Sequence, residues 1–512
     1  MKVVSAGTRR QVRRLVLGFT GACLLLGFLV RCLAGWHGYF ADDESLFWAT
    51  GVQITRGEAF PLVGPPISGS PAGLPGPLFY WVCALPAFIS PHPYVNSVFY
   101  ALFAQVGALA FAAVLRRWWG VRTAGLFLVL SIAAPWLVVY ADRVWAGNLF
   151  FGLCSIVVWL TSRLVSRPTR RAEAFALGTL AVAMPQLHLS TVHLVLASGA
   201  VLLLFRKKPS IRWLLVGAVV GALFYVPYLV HELRTDFSNT LAIRAHAAGV
   251  PERTASRLGS LYLSFFGQGT TDLAYLFVRG YWSPFNHFDF WRGGGVEMMN
   301  AVYDKAGARV LLWAVHGLSW LVQLLGFGVV VVRSVRRRRL DLLAVLLLVG
   351  LADITALYVA SGKSGFVHYT TIVAPLTLLP LLALFRGLPK KVWRIAAPAY
   401  VGLFLIAGGL GLRAFYGGLE GTIPDQLAIV RRIHQERADR PFAMVAGSQW
   451  IFGNAYYRLS IVLEKTPWEP QHGVPARDTF VVFTRADWDQ GPRPGLEVLE
   501  LLPHVVLTRV AR

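Results

Sequence analysis

Apolar runs of about twenty residues alternate along this chain with short basic clusters, a pattern that predicts membrane-crossing helices. Arg9, Arg10, Arg13 and Arg14 precede an apolar run from Leu15 to about Gly35. No small-residue cleavage site follows, so the run reads as a retained first span with a cytoplasmic N-terminus. Further basic clusters fall at Arg116–Arg122, Arg163–Arg171, Arg206–Arg212, Arg333–Arg339 and Arg386–Arg394. Placing all six on the cytoplasmic side requires an even number of crossings between neighbours. The apolar runs 95–115, 123–141, 148–164, 211–230, 310–332, 342–360, 369–385 and 395–412 satisfy that condition. The segment 174–205 is too short for two full spans and carries Pro185, Gln186 and His188 near its middle. It predicts a short broken hairpin whose bend is buried in protein or faces a cavity. About eleven transmembrane helices result.

Two outer loops, 36–92 and 231–308, interrupt a transmembrane domain of residues 1–412. The first is rich in Gly and Pro, with helix-like stretches at 44–55 and 77–88. The tail 413–512 mixes helical patterns at 424–437 and 454–464 with strand-like runs at 442–446, 480–484 and 505–510. It reads as a small extracytoplasmic α/β domain.

Composition sharpens this picture. The chain has 512 residues, 55% hydrophobic and 15% charged, and its mean hydropathy is +0.55. Soluble domains run near 25% charged, so the composition excludes a disordered chain and argues against an ordinary soluble enzyme. The net charge of +23 does not point to nucleic acid, because 25 of the 49 Lys and Arg, Lys2 included, lie in the six basic clusters that flank the apolar runs. The four Cys form no CxxC pair and read as packing residues.

Acids are scarce, which makes their positions informative. Asp42, Asp43 and Glu44 stand together just beyond the first span. Asp42 or Asp43 can be the N-cap of a helix opening at Glu44, or the cluster can do chemistry. Asp142 and Arg143 sit at the tip of the 123–164 hairpin, either as an interfacial pair or as functional groups. Gln186 and His188 mark the broken hairpin, where a lone His is commonly a core residue. Glu232 follows the run 211–230, and Lys363, His368 and Tyr369 lie at the tip of the 342–385 hairpin. These groups share one level, the outer membrane–water boundary, where charged groups face cavities and not lipid.

Such a level suits transfer from a membrane-held donor to an acceptor arriving from outside. A carboxylate deprotonates the acceptor, and Arg, Lys or His stabilises a departing phosphate. Asp43, Asp142 and His188 are also candidate ligands for a divalent metal ion. No phosphate-cradling GxxxxGK[ST] loop or dinucleotide GxGxxG occurs, so no nucleotide cofactor is expected. A transporter or flippase of lipid-linked sugars is the alternative from another class, but it would place polar groups through the midplane. Oligosaccharide transfer to protein is a second enzymatic alternative.

Several motifs carry a family resemblance. Tyr39-Phe40-Ala41-Asp42-Asp43-Glu44 follows the first span and precedes a Gly/Pro-rich loop. Arg143-Val144-Trp145-Ala146-Gly147-Asn148, Gln186-Leu187-His188-Leu189-Ser190 and Pro227-Tyr228-Leu229-Val230-His231-Glu232 recur at matching places. With His368-Tyr369 and the α/β tail, the chain resembles GT-C glycosyltransferases of the protein O-mannosyltransferase and aminoarabinose transferase superfamily. The resemblance implies an inverting transferase in the inner or plasma membrane. Its donor would be a polyprenyl-phosphate sugar, and its acceptor an extracytoplasmic glycan, lipid or protein. It also implies Asp43 as base or acceptor-orienting group, with Asp142 as a second acid. The stretch Ser70–Pro77 lacks the Lys expected of the aminoarabinose branch, which argues against a lipid A aminoarabinose transferase.

Overall fold

Proline and arginine decide where the apolar runs break. The computed structural model describes residues 6–38, 40–67, 70–139, 141, 143–248, 306–337, 341–361, 373–417, 422–437, 443–445, 453–464, 479–491, 493–503 and 505–510. Helix α1 (Ala6–His37) packs on α4 (Pro93–Trp118) and on α5 (Val121–Ala133). Between α1 and α4 lie two first-loop helices, α2 (Asp42–Thr55) and α3 (Leu78–Ala87).

The run 123–141, expected as one helix, is two: α5 ends at Ala133 and α6 spans Pro135–Val139. Pro135 has no N–H to give the Ser131 carbonyl, so the helix cannot continue unbroken. Arg31, fully buried in α1, supplies the missing donor at 2.9 Å and also donates to the Leu137 carbonyl at 3.0 Å. A guanidinium inside an apolar bundle is thereby held by backbone carbonyls that would otherwise be orphaned.

A 3₁₀ turn, Ala146–Leu149, leads into the buried helix α7 (Phe150–Ser166), which lies against α4. The segment 174–205 breaks near its middle. Helix α8 (Arg171–Ala183) and helix α9 (Val192–Leu204) are separated by two 3₁₀ turns, Met184–Gln186 and Leu189–Thr191. The halves take different partners: α8 pairs with α10 (Ile211–Leu223), and α9 packs on α14 (Leu342–Ser361). The α8–α10 approach is backbone-close, since a Cβ on Gly217 would fall 2.0 Å from the Phe175 carbonyl. Helix α10 continues into α11 (Val226–Arg234) through a 49° bend, and α12 (Ser238–Ala248) follows.

The remaining helices are α13 (Ala306–Arg337), α15 (Ala374–Thr377), α16 (Leu379–Gly387) and α17 (Lys390–Gly417). Among the described residues, Arg10–His37, Pro93–Trp118, Ala146–Ser166 and Lys390–Arg413 are long and apolar enough to cross a membrane. The bent α10–α11 pair makes a fifth candidate span. Exposed Leu25, Leu29, Leu215, Val219, Ile395 and Ile406 leave apolar faces that suit lipid.

After α17 come α18 (Ile423–Arg437), β1 (Ala443–Val445), α19 (Gly453–Glu464), β2 (Thr479–Thr484), α20 (Arg485–Trp488), β3 (Leu496–Leu501) and β4 (Val505–Val510). The four strands form one sheet in the order β1-β2-β4-β3, with β1 parallel to β2 and the other pairs antiparallel. Edge strand β3 carries Glu497 and Glu500 and a register shift beside Val498, so it lacks the apolar alternation of its neighbours. The core of this unit is shared with the first loop. Phe40, Trp48 and Val52 are buried together with Ile423, Val430, Tyr456, Phe480 and Leu507.

Candidate functional site

Helix α2 opens with three acids in its first turn, and each meets a different environment. The N-cap position belongs to Ala41, with no side-chain capping bond. The acids are therefore not caps, contrary to the first of the two sequence readings. Asp42 is half-exposed, and Arg458 of α19 donates to its carboxylate at 2.6 Å and to its carbonyl at 2.6 Å. The same guanidinium donates to Ser45 Oγ at 2.8 Å. Asp43 reaches solvent, but protein crowds it. Desolvation and the neighbouring Asp42 raise its pKa, against the pull of Arg458.

Glu44 points inward and is buried. Its Oε1 lies 3.9 Å from Nε of Arg143, which is itself 4% exposed. Burial pushes the Glu44 carboxyl up to about 7, with Arg143 opposing and Asp43 adding to the shift. Desolvation of a carboxylate thus outweighs the attraction of an arginine at this separation.

The tip that carries Arg143 also reaches the broken hairpin. Asn148 Nδ2 donates to the Arg143 carbonyl at 3.1 Å and so folds the tip into its 3₁₀ turn. Two residues further, the Phe150 ring meets the His188 ring edge-on, with centroids 5.1 Å apart. His188 Nδ1 accepts from the Ser190 N–H at 3.2 Å and lies 2.7 Å from Ser190 Oγ, so the imidazole caps the second 3₁₀ turn. Segment 143–150 therefore touches Glu44 at one end and His188 at the other.

Residues 73–76 of the first loop make a second junction. Gly76 (φ +125°) lies so close to Gln186 that a Cβ there would fall 2.2 Å from Gln186 Oε1. Gln186 is fully buried, and its amide makes no hydrogen bond among the described residues. Gly73 exchanges two hydrogen bonds with Asn239 of α12, at 2.8 and 3.1 Å. Glu232 of α11 is buried beside this contact, and its Oε2 accepts from the Thr240 N–H at 3.2 Å. Glu232 Oε1 has no hydrogen-bond partner among the described residues.

Six of the expected site residues, Asp42, Asp43, Glu44, Arg143, Gln186 and His188, are thus linked by a chain of contacts to the first loop, and Glu232 lies next to it by accepting from Thr240, the neighbour of Asn239. Asp142, Lys363, His368 and Tyr369 lie outside the described residues. Among the described residues no three His, Cys, Asp or Glu side chains come together as a metal site. Arg458 had no signal in the sequence, because its partner Asp42 is 416 positions away. Asn239 was equally hidden, in a loop with no motif of its own.

The apolar helices make this a membrane protein, and a few of its ionisable groups, Asp42, Asp43, Glu44, Arg143 and Arg458, meet at the first loop. The fold is one already seen in solved structures. No family model and no curated protein matches the sequence. Among solved structures the chain is similar to ArnT from Cupriavidus metallidurans bound to undecaprenyl phosphate, at 15% identity and a TM-score of 0.54. That alignment covers 96% of this chain and 97% of the other. The apo form of the same protein aligns over 97% and 98% with the same score. The Archaeoglobus fulgidus oligosaccharyltransferase aligns at 13% identity over 92% of this chain and 69% of its own, with a TM-score of 0.41.

Proposed function

We propose that this protein is a membrane glycosyltransferase that takes its sugar from a polyprenyl-phosphate-linked donor and passes it to an extracytoplasmic acceptor. The observation that carries the reading is a fold shared end to end with a protein crystallised with undecaprenyl phosphate. The grouping of acids, arginine and imidazole beside the first loop supports it.

In this reading eleven spans set the N-terminus inside and the α/β tail outside. The acceptor hydroxyl attacks the anomeric carbon, the bond from that carbon to the phosphate oxygen breaks, and the bonding pair leaves with the polyprenyl phosphate. The configuration inverts. Asp43 takes the acceptor proton or orients the hydroxyl, and the crowding that raises its pKa makes it a stronger base than an open carboxylate. Glu44 is too buried to meet an acceptor and serves to seat Arg143. Arg143 is proposed to stabilise the departing phosphate from beneath the surface, and His188, Lys363, His368 and Tyr369 are proposed to bind it. The missing Lys in Ser70–Pro77 points to a sugar other than aminoarabinose.

The test is transfer by the purified protein in proteoliposomes. Undecaprenyl-phosphate hexoses and pentoses, labelled in the sugar, are presented with extracted glycan, lipid and protein acceptors. Label should pass to one acceptor class as free undecaprenyl phosphate appears. Donor that crosses the bilayer intact, with no label transferred, would replace the enzyme reading with that of a flippase.

A further inference from the structure

At the end of the bundle opposite the first loop, four helices leave a space between them. A groove of about 780 Å³ opens between α1, α4, α5 and α17. Small residues make the room, with Ala112 and Ala113 on α4, Ala124 and Gly125 on α5, and Ala397 beside Pro398 on α17. Below the mouth its walls are otherwise leucine, valine and phenylalanine with one hydroxyl, Thr20, which donates to the Val16 carbonyl, so a polar solute gains little there. From Val121 to Val129 it follows α5 for ~12 Å at the helical rise, enough for a stretch of acyl chain.

Its mouth has the opposite character. Arg116, Arg117 and Arg122 all line it, and all three are exposed. Among the described residues none of them forms an ion pair. The nearby carboxylate of Asp341 is engaged elsewhere, by Arg386 at 3.6 Å and by Trp119 Nε1 at 2.8 Å. Arg122 is steadied over the Trp393 ring, 5.5 Å from its centroid, which bridges the mouth from α5 to α17. An apolar slot beneath three arginines that form no ion pair among the described residues matches one kind of molecule, an amphiphile with an anionic head.

We propose that this groove seats an anionic glycerophospholipid of the cytoplasmic leaflet, its phosphate held by Arg116, Arg117 and Arg122 and an acyl chain lying along α5. The proposal rests on the membrane placement given above and not on sugar transfer. It adds a lipid site on the face away from the acid cluster.

The experiment measures equilibrium binding of fluorescent phosphatidylglycerol and phosphatidylcholine to the full chain in neutral detergent. Phosphatidylglycerol should saturate and bind at least tenfold more tightly than phosphatidylcholine. The triple variant R116Q/R117Q/R122Q should bring the two lipids to equal, weak binding. Gly125→Leu should weaken both, because a Cβ there already lies 3.4 Å from Phe19 and a longer side chain fills the slot. Ala113→Leu, at an exposed wall position, is the second filling variant if Gly125→Leu does not fold. Equal affinity for both lipids in the unaltered protein overturns the proposal. So does phosphatidylglycerol binding that survives groove filling, which would mean adsorption to a charged surface. Displacement by glycerol phosphate at similar concentration would reveal a simple anion site, and tighter displacement by undecaprenyl phosphate would reassign the groove to the donor. Either result removes the phospholipid, and neither bears on whether transfer occurs.

Discussion

Glu44 in the first loop and Arg143 at the hairpin tip face one another at 3.9 Å, both buried. The carboxyl is nevertheless held near pH 7, because burial costs the charged form more than the guanidinium returns. The pair thus sits at the edge of ionisation under physiological conditions, and its state is coupled to the fold around it.

Stability should therefore depend on pH with a definite sign. The folded pKa of Glu44 lies above its ordinary value of 4.5, so the folded chain binds the extra proton between about 4.5 and 7. This contribution is complete below 4.5 and disappears as pH rises through 7, with a size of about 3 kcal/mol. Chemical unfolding in detergent should show that decline, and Glu44→Gln should flatten it. An unchanged pH profile in the variant would reject the assignment.

Arg143→Met removes the partner and leaves the acid buried. At pH 8 the loss should be about 1–2 kcal/mol, because the carboxyl, pushed further up without its partner, gives up its ion pair and takes a proton. At pH 5 the acid is protonated and the loss should shrink markedly. Pairing Arg143→Met with Glu44→Gln should recover most of the pH 8 loss, as a double-mutant cycle would show.

Asp43→Asn alters charge and hardly alters shape. As base, Asp43 gives way to a variant slowed ~10²–10⁴-fold in transfer. Stability should barely move, because Asp43 is exposed and makes no capping bond. Asp42→Asn should leave transfer closer to normal and loosen the Arg458 contact, worth at most ~1 kcal/mol at this half-exposed site. Full transfer by both variants would remove the carboxylates from the mechanism.

Gly76→Ala should impair the protein far more than Gly57→Ala. Both glycines have positive φ, +125° and +72°, but a Cβ at Gly57 meets open space whereas one at Gly76 strikes Gln186. The alanine at position 57 should cost ~1 kcal/mol from backbone strain alone. The alanine at 76 must also push the loop off the broken hairpin, so transfer should fall with little change in expression. Comparable effects at the two positions would mean that the loop's seat on Gln186 is unimportant.

Sidedness is open to direct labelling. The four native cysteines are buried, so background reaction should be low. An impermeant maleimide added outside should reach Gln490→Cys in the tail and not Arg336→Cys. The reverse pattern would invert the topology.

The chain by itself determined its class and much of its layout. Long apolar runs have one low-energy state in lipid, the helix, so local composition suffices for the membrane class. The break at Pro185–His188 was legible for the same local reason, a proline and polar groups within an apolar segment. Only the tertiary structure decided which groups meet. The pairings of Glu44 with Arg143, of Asp42 with Arg458 and of Gly73 with Asn239 join segments far apart in the chain, through contacts that leave no periodic signal. Tertiary structure also decided the split at Pro135. Proline alone predicts a lost hydrogen bond, but a span broken there persists because Arg31 arrives from another helix to bond the orphaned carbonyl. Burial, too, is a property of the assembled fold, and it alone separates three consecutive acids into a tethered one, an open one and a buried one.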